Sequence, residues 1–258
     1  MNSTREQRLA YIMEVLKERH TVSLLELSDA FSVSTVTIRK DIAELAERGL
    51  VFRQHGSVSL RKDIGIPFFP LDSRSELQNE EKLRIAAAAV KLITPNDSVI
   101  LDSGTTTAMV AREMVSLPPV CIATNSILAA QELRGSAHTV SISGGDVINQ
   151  SLCIVGAETV SFFSNIHATK MFLGATGVRR SLLLTTGLAS EAEAKKAMLG
   201  AADEVILVVD SSKFLRTDNT MFSFCQPDRI SCVITGAPPP ESFLSTLREL
   251  NIELIIAS

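Results

Sequence analysis

Two groups of residues carry types and spacings that could do chemistry. The first begins with Asp102-Ser103-Gly104-Thr105-Thr106-Thr107, a carboxylate, a glycine turn and a run of hydroxyls that leads into an apolar helical stretch at 108–115. At a helix start the backbone N–H groups and the positive end of the dipole point outward, so this loop suits a phosphate or another anion. It is not a Walker loop, because Gly-Lys-Ser/Thr is absent. The plainer reading is a hydroxyl-rich helix cap without a ligand. Thr124-Asn125-Ser126 and Gly144-Gly145 follow two further strands in equivalent positions. Glu191, Lys195, Asp210 and Lys213 add charge to the same rim, where they could bind sugar hydroxyls and phosphate or move protons. Glu191 and Lys195 are four residues apart and also fit an ordinary surface ion pair of a helix.

The second group lies at 34–50. Ile38, Ile42 and Leu45 recur at i, i+4 and i+7 and line one helix face. Val36, Lys40 and Ala43 fall on the opposite face, flanked by Thr37 and Arg39. Short side chains let a helix enter the DNA major groove, while Arg and Lys reach phosphates or guanine edges. Ser34 is placed to cap this helix, and Gly49 to end it. The expected DNA contacts are Thr35, Thr37, Arg39 and Lys40 on the helix, backbone contacts from Ser34, and Arg53 and His55 on a hairpin that follows.

Other chemistries find no support. No Gly-x-Ser-x-Gly elbow is present, and His20, His55, His138 and His167 have no partner arrangement for catalysis. Cys121, Cys153, Cys225 and Cys232 lack close-paired metal spacing, which suits reduced thiols in a cytoplasmic protein with no metal and no cofactor. No apolar run is long enough to span a membrane, and residues 1–6 have no signal-peptide character.

Elements must hold these groups in place. Residues 4–19 read as a helix with an apolar stripe of Leu9, Ile12, Met13 and Leu16. Ser23-Leu24-Leu25-Glu26 has capping-box spacing and opens a short second helix, and Ser32-Val33 is the turn before the third. With strand-forming residues around Gly56 at 50–60, the pattern is a winged helix-turn-helix over 1–60. A polar stretch broken by Pro67 and Pro70 reads as a linker over 61–79. From 80 to 258, short apolar strands alternate with helices, the signature of an α/β sheet that is mostly parallel and covered on both faces. The strands are expected at 98–102, 120–123, 139–143, 170–174, 205–210, 230–235 and 252–256, with helices at 80–93, 127–133 and 190–201 among them. In such a sheet ligands bind beyond the carboxyl ends of the strands. Net charge is −4, but residues 1–62 carry 10 Lys/Arg against 8 Asp/Glu and the remainder 15 against 21. A locally basic face on an acidic body is compatible with DNA binding.

The ordered set Val33-Ser34-Thr35-Val36-Thr37-Ile38-Arg39-Lys40-Asp41-Ile42, Leu45, Gly49-Leu50 and Arg53-Gln54-His55-Gly56 resembles the DNA-binding signature of the DeoR family of bacterial transcription regulators. Downstream, Asp102 to Thr107, Thr124-Asn125-Ser126, Gly144-Gly145, Phe172-Leu173-Gly174, Glu191-Ala192-Glu193-Ala194-Lys195 and Asp210-Ser211-Ser212-Lys213-Phe214 are similar to its effector-domain motifs, in the same order. The resemblance implies a C-terminal domain with the fold of ribose-phosphate isomerases and coenzyme A transferases. It also implies a phosphorylated sugar as effector and a homo-oligomer, dimer or tetramer, that represses a carbohydrate-metabolism operon from double-stranded operator DNA. Two positions depart from the pattern. Ser57 stands where a second Gly is common, and Leu215-Arg216 follows where a small residue is usual. The rival is an active sugar-phosphate isomerase. Those enzymes carry carboxylates in a Gly-Ala-Asp-Glu segment, where this chain has Gly174-Ala175-Thr176-Gly177.

Overall fold

Helical periodicity at 38–45 becomes burial in the computed structural model, which describes residues 4–19, 21–47, 50–54, 56–60, 78–215 and 220–258. The chain divides into two compact units, Met1–Pro70 and Leu71–Ser258. In the first, α1 (Arg5–Arg19), α2 (Leu24–Phe31) and α3 (Thr35–Glu47) enclose Leu9, Ile12, Leu16, Leu27, Ile38, Ile42 and Leu45. Ser23 caps α2, its Oγ accepting the Glu26 N–H at 3.0 Å. The Glu26 carboxylate pairs with Arg19. Ser32, at φ +52°, turns the chain between α2 and α3. The hairpin is β2 (Val51–Gln54) and β3 (Ser57–Leu60), paired antiparallel. A third strand, β1 (Thr21–Ser23), pairs with β3 and was not expected, because three residues are too few to show alternation. Gly56 takes φ +75°, while Ser57 is a strand residue opposite Gln54 and Ser23. The serine therefore meets no requirement for positive φ. Gly49, His55 and residues 61–77 of the linker expected over 61–79 lie outside the described residues, and Asn79 already opens a helix.

The second unit is built on a seven-stranded parallel sheet. Its strands are β4 (Ser98–Leu101), β5 (Cys121–Thr124), β6 (Thr139–Ile142), β9 (Ala168–Leu173), β12 (Ala202–Val208), β14 (Cys232–Thr235) and β15 (Glu253–Ile256), in the order β15-β14-β12-β9-β4-β5-β6. Alternate residues of the central strands enter two cores. Ile100, Met171, Leu173, Val205 and Leu207 face α7 (Ala157–Ser164), α8 (Ala189–Gly200) and α10 (Glu241–Glu249). Val99, Leu101, Phe172, Ile206 and Val208 face α4 (Asn79–Val90), α5 (Thr105–Met114) and α6 (Ile127–Glu132). Strands buried on both sides explain the nearly continuous apolar runs. From β4 the order runs through β5 and β6 on one side, and from β9 through β12, β14 and β15 on the other. The switch point lies between β4 and β9.

Several small elements went unread in the sequence. They are the hairpin β7 (Asp146–Ile148) and β8 (Cys153–Val155), the helix α7, and an antiparallel sheet of β10 (Gly177–Val178), β11 (Leu184–Thr186) and β13 (Phe222–Cys225). A four-residue helix, α9 (Ser212–Leu215), follows β12. Helix α5 starts at Thr105, so the three threonines form its first turn and not a loop before it.

At the opposite end of β4, Asp97 ties the sheet together. Its carboxylate accepts hydrogen bonds from Lys170 Nζ (2.9 Å), Thr94 N–H (2.7 Å), Thr169 Oγ1–H (2.7 Å) and Thr94 Oγ1–H (2.9 Å). Burial alone would raise its pKa, but these donors, Lys170 foremost, hold it well below the usual carboxylate range. A lowered carboxylate pKa gives stability that is complete above the unfolded value, about 4, and is lost as pH falls through and below it. Acid denaturation should therefore be shallower in Asp97→Asn than in the wild-type chain below pH about 4. Parallel urea titrations across pH check this, and equal slopes would contradict it.

Candidate functional site

In the first unit the recognition face takes shape on α3. Ser34 caps it, Oγ accepting the Thr37 N–H at 3.2 Å and lying 3.0 Å from Thr37 Oγ1. Arg39 and Lys40 are exposed, Val36 is 57% exposed, and Thr35, Thr37 and Ala43 are half-buried. One face of α3 is thus short, hydroxylated and cationic while the other is core. The inner face is also pinned electrostatically. Asp41, almost wholly buried, accepts Arg8 Nε–H at 2.7 Å and Arg8 Nη2–H at 3.2 Å, and Arg5 Nε lies 3.4 Å away. Hydrogen bonding to Asp41 holds the Arg8 guanidinium above its ordinary pKa. Arg53 lies on β2, its side chain outside the described residues, as is His55.

In the second unit a cleft of about 550 Å³, mouth included, opens at the switch point. Ser103, Gly104 and the first turn of α5 form one wall, and Gly174, Ala175 and Thr176 after β9 form another. Val208, Val209 and Lys213 close the side beyond β12, and Ser151, Glu191 and Lys195 complete the lining. The spacing of Glu191 and Lys195 along α8 brings both into the cleft. The surface ion pair that it allowed is not formed. Both residues are buried, and each engages other groups.

Lys195 Nζ donates to the Asp102 carboxylate and to the Gly174 carbonyl (3.2 Å), and lies 5.1 Å from the Phe224 ring centroid. Asp102 is fully buried and also accepts the Gly174 N–H at 2.9 Å. Burial pushes its carboxyl above the ordinary value, against the pull of Lys195. Glu191 accepts Ser151 Oγ–H at 2.8 Å and Thr186 Oγ1–H at 2.6 Å, with the Cys153 thiol 3.6 Å away. Burial, then the charge of Glu191, pushes that thiol up to about 12, so it stays protonated and unreactive. Lys195 is thus neutralised locally, and Glu191 is held by neutral donors.

The remaining residues singled out in the sequence divide. Thr105 and Thr106 line the cleft, and among the described residues their hydroxyls have no protein partner. Thr107 also lines it, but its hydroxyl is already donated to the Gly104 carbonyl at 3.1 Å. Thr124, Asn125 and Ser126 stand outside the lining and do structural work. Thr124 Oγ1 donates to Leu101 O (2.7 Å), Asn125 Nδ2 to Ile154 O (2.9 Å), and Ser126 Oγ caps α6. Gly144 and Gly145 are also outside it. A Cβ on Gly145, at φ +129°, would sit 2.2 Å from Val155 O, so this glycine serves the packing of β7 against β8. Asp210 is buried, its carboxylate accepting the N–H and O–H of Ser212, and it shapes the turn that carries Lys213. Ser151 was missed. It lies in the turn of the β7–β8 hairpin, whose strands are too short to read, and no motif marks it.

Residues 8–63 match the family described as the DeoR-like helix-turn-helix domain, and residues 77–237 that described as the DeoR C terminal sensor domain. The chain is 33% identical over 250 residues to the glycerol-3-phosphate regulon repressor of Escherichia coli (strain K12), covering 96% of this chain and 97% of that protein. It is 32% identical over 254 residues to the HTH-type transcriptional regulator IolR of Bacillus subtilis (strain 168), covering 97% and 98%. Among solved structures, ribose 5-phosphate isomerase A from Methanocaldococcus jannaschii overlaps 53% of this chain and 54% of its own, at 22% identity and a TM-score of 0.40.

Proposed function

The chain belongs to the DeoR family of helix-turn-helix regulators, and we propose that it is a cytoplasmic repressor of a carbohydrate-metabolism operon whose hold on DNA is set by a phosphorylated sugar in the switch-point cleft. The observation that carries this reading is the composition of that cleft. The first turn of α5 presents backbone N–H groups and the positive end of its dipole, and Lys213 reaches the same space. Lys195 is paired with Asp102, and the phosphate is assigned to the first turn of α5, with Lys213 lining the same space. Sugar hydroxyls then meet Glu191, whose carboxylate has acceptor capacity beyond Ser151 and Thr186, and Ser151 beside it. One end of the ligand is an anion and the other a polyol. The relative named for a glycerol-3-phosphate regulon is consistent with that chemistry.

On the DNA side, Thr35, Thr37, Arg39 and Lys40 contact bases and phosphates, Ser34 and the wing residues Arg53 and His55 contact the backbone, and two or more copies place their α3 helices on repeated half-sites. The sensor is not an isomerase in this reading, because Thr176 at the cleft and Gly177 after it stand where catalytic carboxylates would be needed.

A thermal-shift screen against sugar phosphates and their unphosphorylated counterparts tests the cleft. One phosphorylated compound should raise the melting temperature, by the equivalent of about 2.7 kcal/mol at a hundredfold excess over Kd. Thr105→Glu places a carboxylate at the anion site and should abolish the shift. An unchanged shift in that variant would place the ligand elsewhere.

A further inference from the structure

Glu81 lies in the first turn of α4, the first helix after the segment 61–77, and it is buried at 6% exposure. Its carboxylate takes no cation among the described residues. Oε1 accepts the backbone N–H of Ser211 at 2.7 Å and that of Gly236 at 3.1 Å, and Oε2 accepts the Ser211 hydroxyl at 3.0 Å. The surroundings are built to admit it. A Cβ on Gly236 would stand 2.1 Å from Glu81 Cγ, so only glycine leaves room. A buried carboxylate held by three neutral donors from two loops is costly to place unless the geometry is fixed.

Ser211 belongs to the turn that shapes the cleft. Val208 and Val209 line the cleft before it, and Lys213 lines it after it. Asp210 stiffens the turn by accepting from Ser212, while Lys213 N–H donates to Asp210 O at 3.0 Å. One face of a four-residue turn therefore bears on the ligand space and the other on the carboxylate of α4.

We infer that Glu81 is a positioning residue that links the Lys213 turn to the start of α4, so that occupancy of the cleft is transmitted to the helix that follows the interdomain segment. This rests on the reading of the cleft as an anion site. A phosphate drawn to Lys213 sets the turn, Ser211 moves with it, and the Glu81 clamp carries the displacement to Asn79–Val90. Short hydrogen bonds to a buried carboxylate make this a stiff connection, since sliding would leave buried N–H groups unpaired.

Hydrogen exchange on the full-length protein, with and without saturating inorganic phosphate, tests it. In the wild-type chain phosphate should slow exchange at 103–107 and also across 79–90. In Glu81→Ala the protection at 103–107 should persist and the response across 79–90 should disappear. Glu81→Gln, which keeps an acceptor for both N–H groups, should restore much of it. Ser211→Ala removes a single hydroxyl and should weaken the response at 79–90, so it serves if Glu81→Ala fails to fold. A response at 79–90 that is equal in all variants, or absent from the wild type while 103–107 is protected, overturns the link and leaves the anion site standing. No protection at 103–107 in the wild type overturns the anion site itself, and the link with it.

Discussion

Replacing Lys195 with alanine should destabilise the sensor domain by about 3–5 kcal/mol, the range for breaking a buried ion pair by removing one partner. The cause is what remains. Asp102 is fully buried, and without Lys195 it is left with backbone donors, the N–H groups of Gly174 and Ser103. Burial already raises its pKa, and losing the cation raises it further. A carboxylate whose folded pKa is raised costs stability as pH rises through the interval between the unfolded and folded values. The deficit of Lys195→Ala should therefore be smallest in mild acid and widen toward neutrality. Adding Asp102→Asn should recover part of the loss and flatten the pH dependence, because both charges are then gone. Urea melts across pH measure all three. A pH-independent deficit, or a double variant no better than Lys195→Ala, would mean that the pair does not hold this site.

Asp41→Ala should have the second-largest effect and act on the other unit. Arg8 donates to Asp41 through Nε and Nη2, and the two side chains join α1 to the inner face of α3. Removing the carboxylate takes away the acceptor of the Arg8 Nε–H and Nη2–H, the contact that joins α1 to α3. The expected loss is about 2–3 kcal/mol, at the lower end for a severed buried pair because the Arg8 head lies near the surface of a small unit. DNA binding should weaken as well, although Asp41 does not face the exposed side of α3, because the recognition helix loses its lateral restraint. Arg39→Ala provides the contrast. It should weaken specific binding by about 1–3 kcal/mol if it reads a base, without lowering the melting temperature. Equal stability of Asp41→Ala and the wild type would mean that the Arg8–Asp41 pair does not hold α3 in place.

The sequence made the large elements legible for a physical reason. Strands buried on both faces must be apolar without interruption, and Ile38, Ile42 and Leu45 must repeat at helical spacing, so both patterns survive in one dimension. The small elements left no such trace. Strands β1, β7, β8, β10 and β11 have two or three residues each, too few for a period to appear. The cleft followed the same division. Ser103 to Thr107 were visible because a glycine turn before a helix has a local signature. The Lys195–Asp102 contact joins residues 93 apart, and Arg8–Asp41 residues 33 apart, which spacing cannot disclose. Thr124 Oγ1 and Asn125 Nδ2 donate to neighbouring backbone, Leu101 O and Ile154 O, contacts that a position at a strand end does not disclose.

The most direct measurement is fluorescence anisotropy of the full-length chain on an operator fragment obtained by in vitro selection. It would be titrated with the sugar phosphate found in the thermal screen and, separately, with its unphosphorylated parent. The phosphorylated compound alone should change the affinity for DNA, and Thr105→Glu should bind the same DNA but no longer respond. A change of equal size with the parent sugar, or a full response in Thr105→Glu, would contradict control of the DNA-binding unit through the anion site of α5.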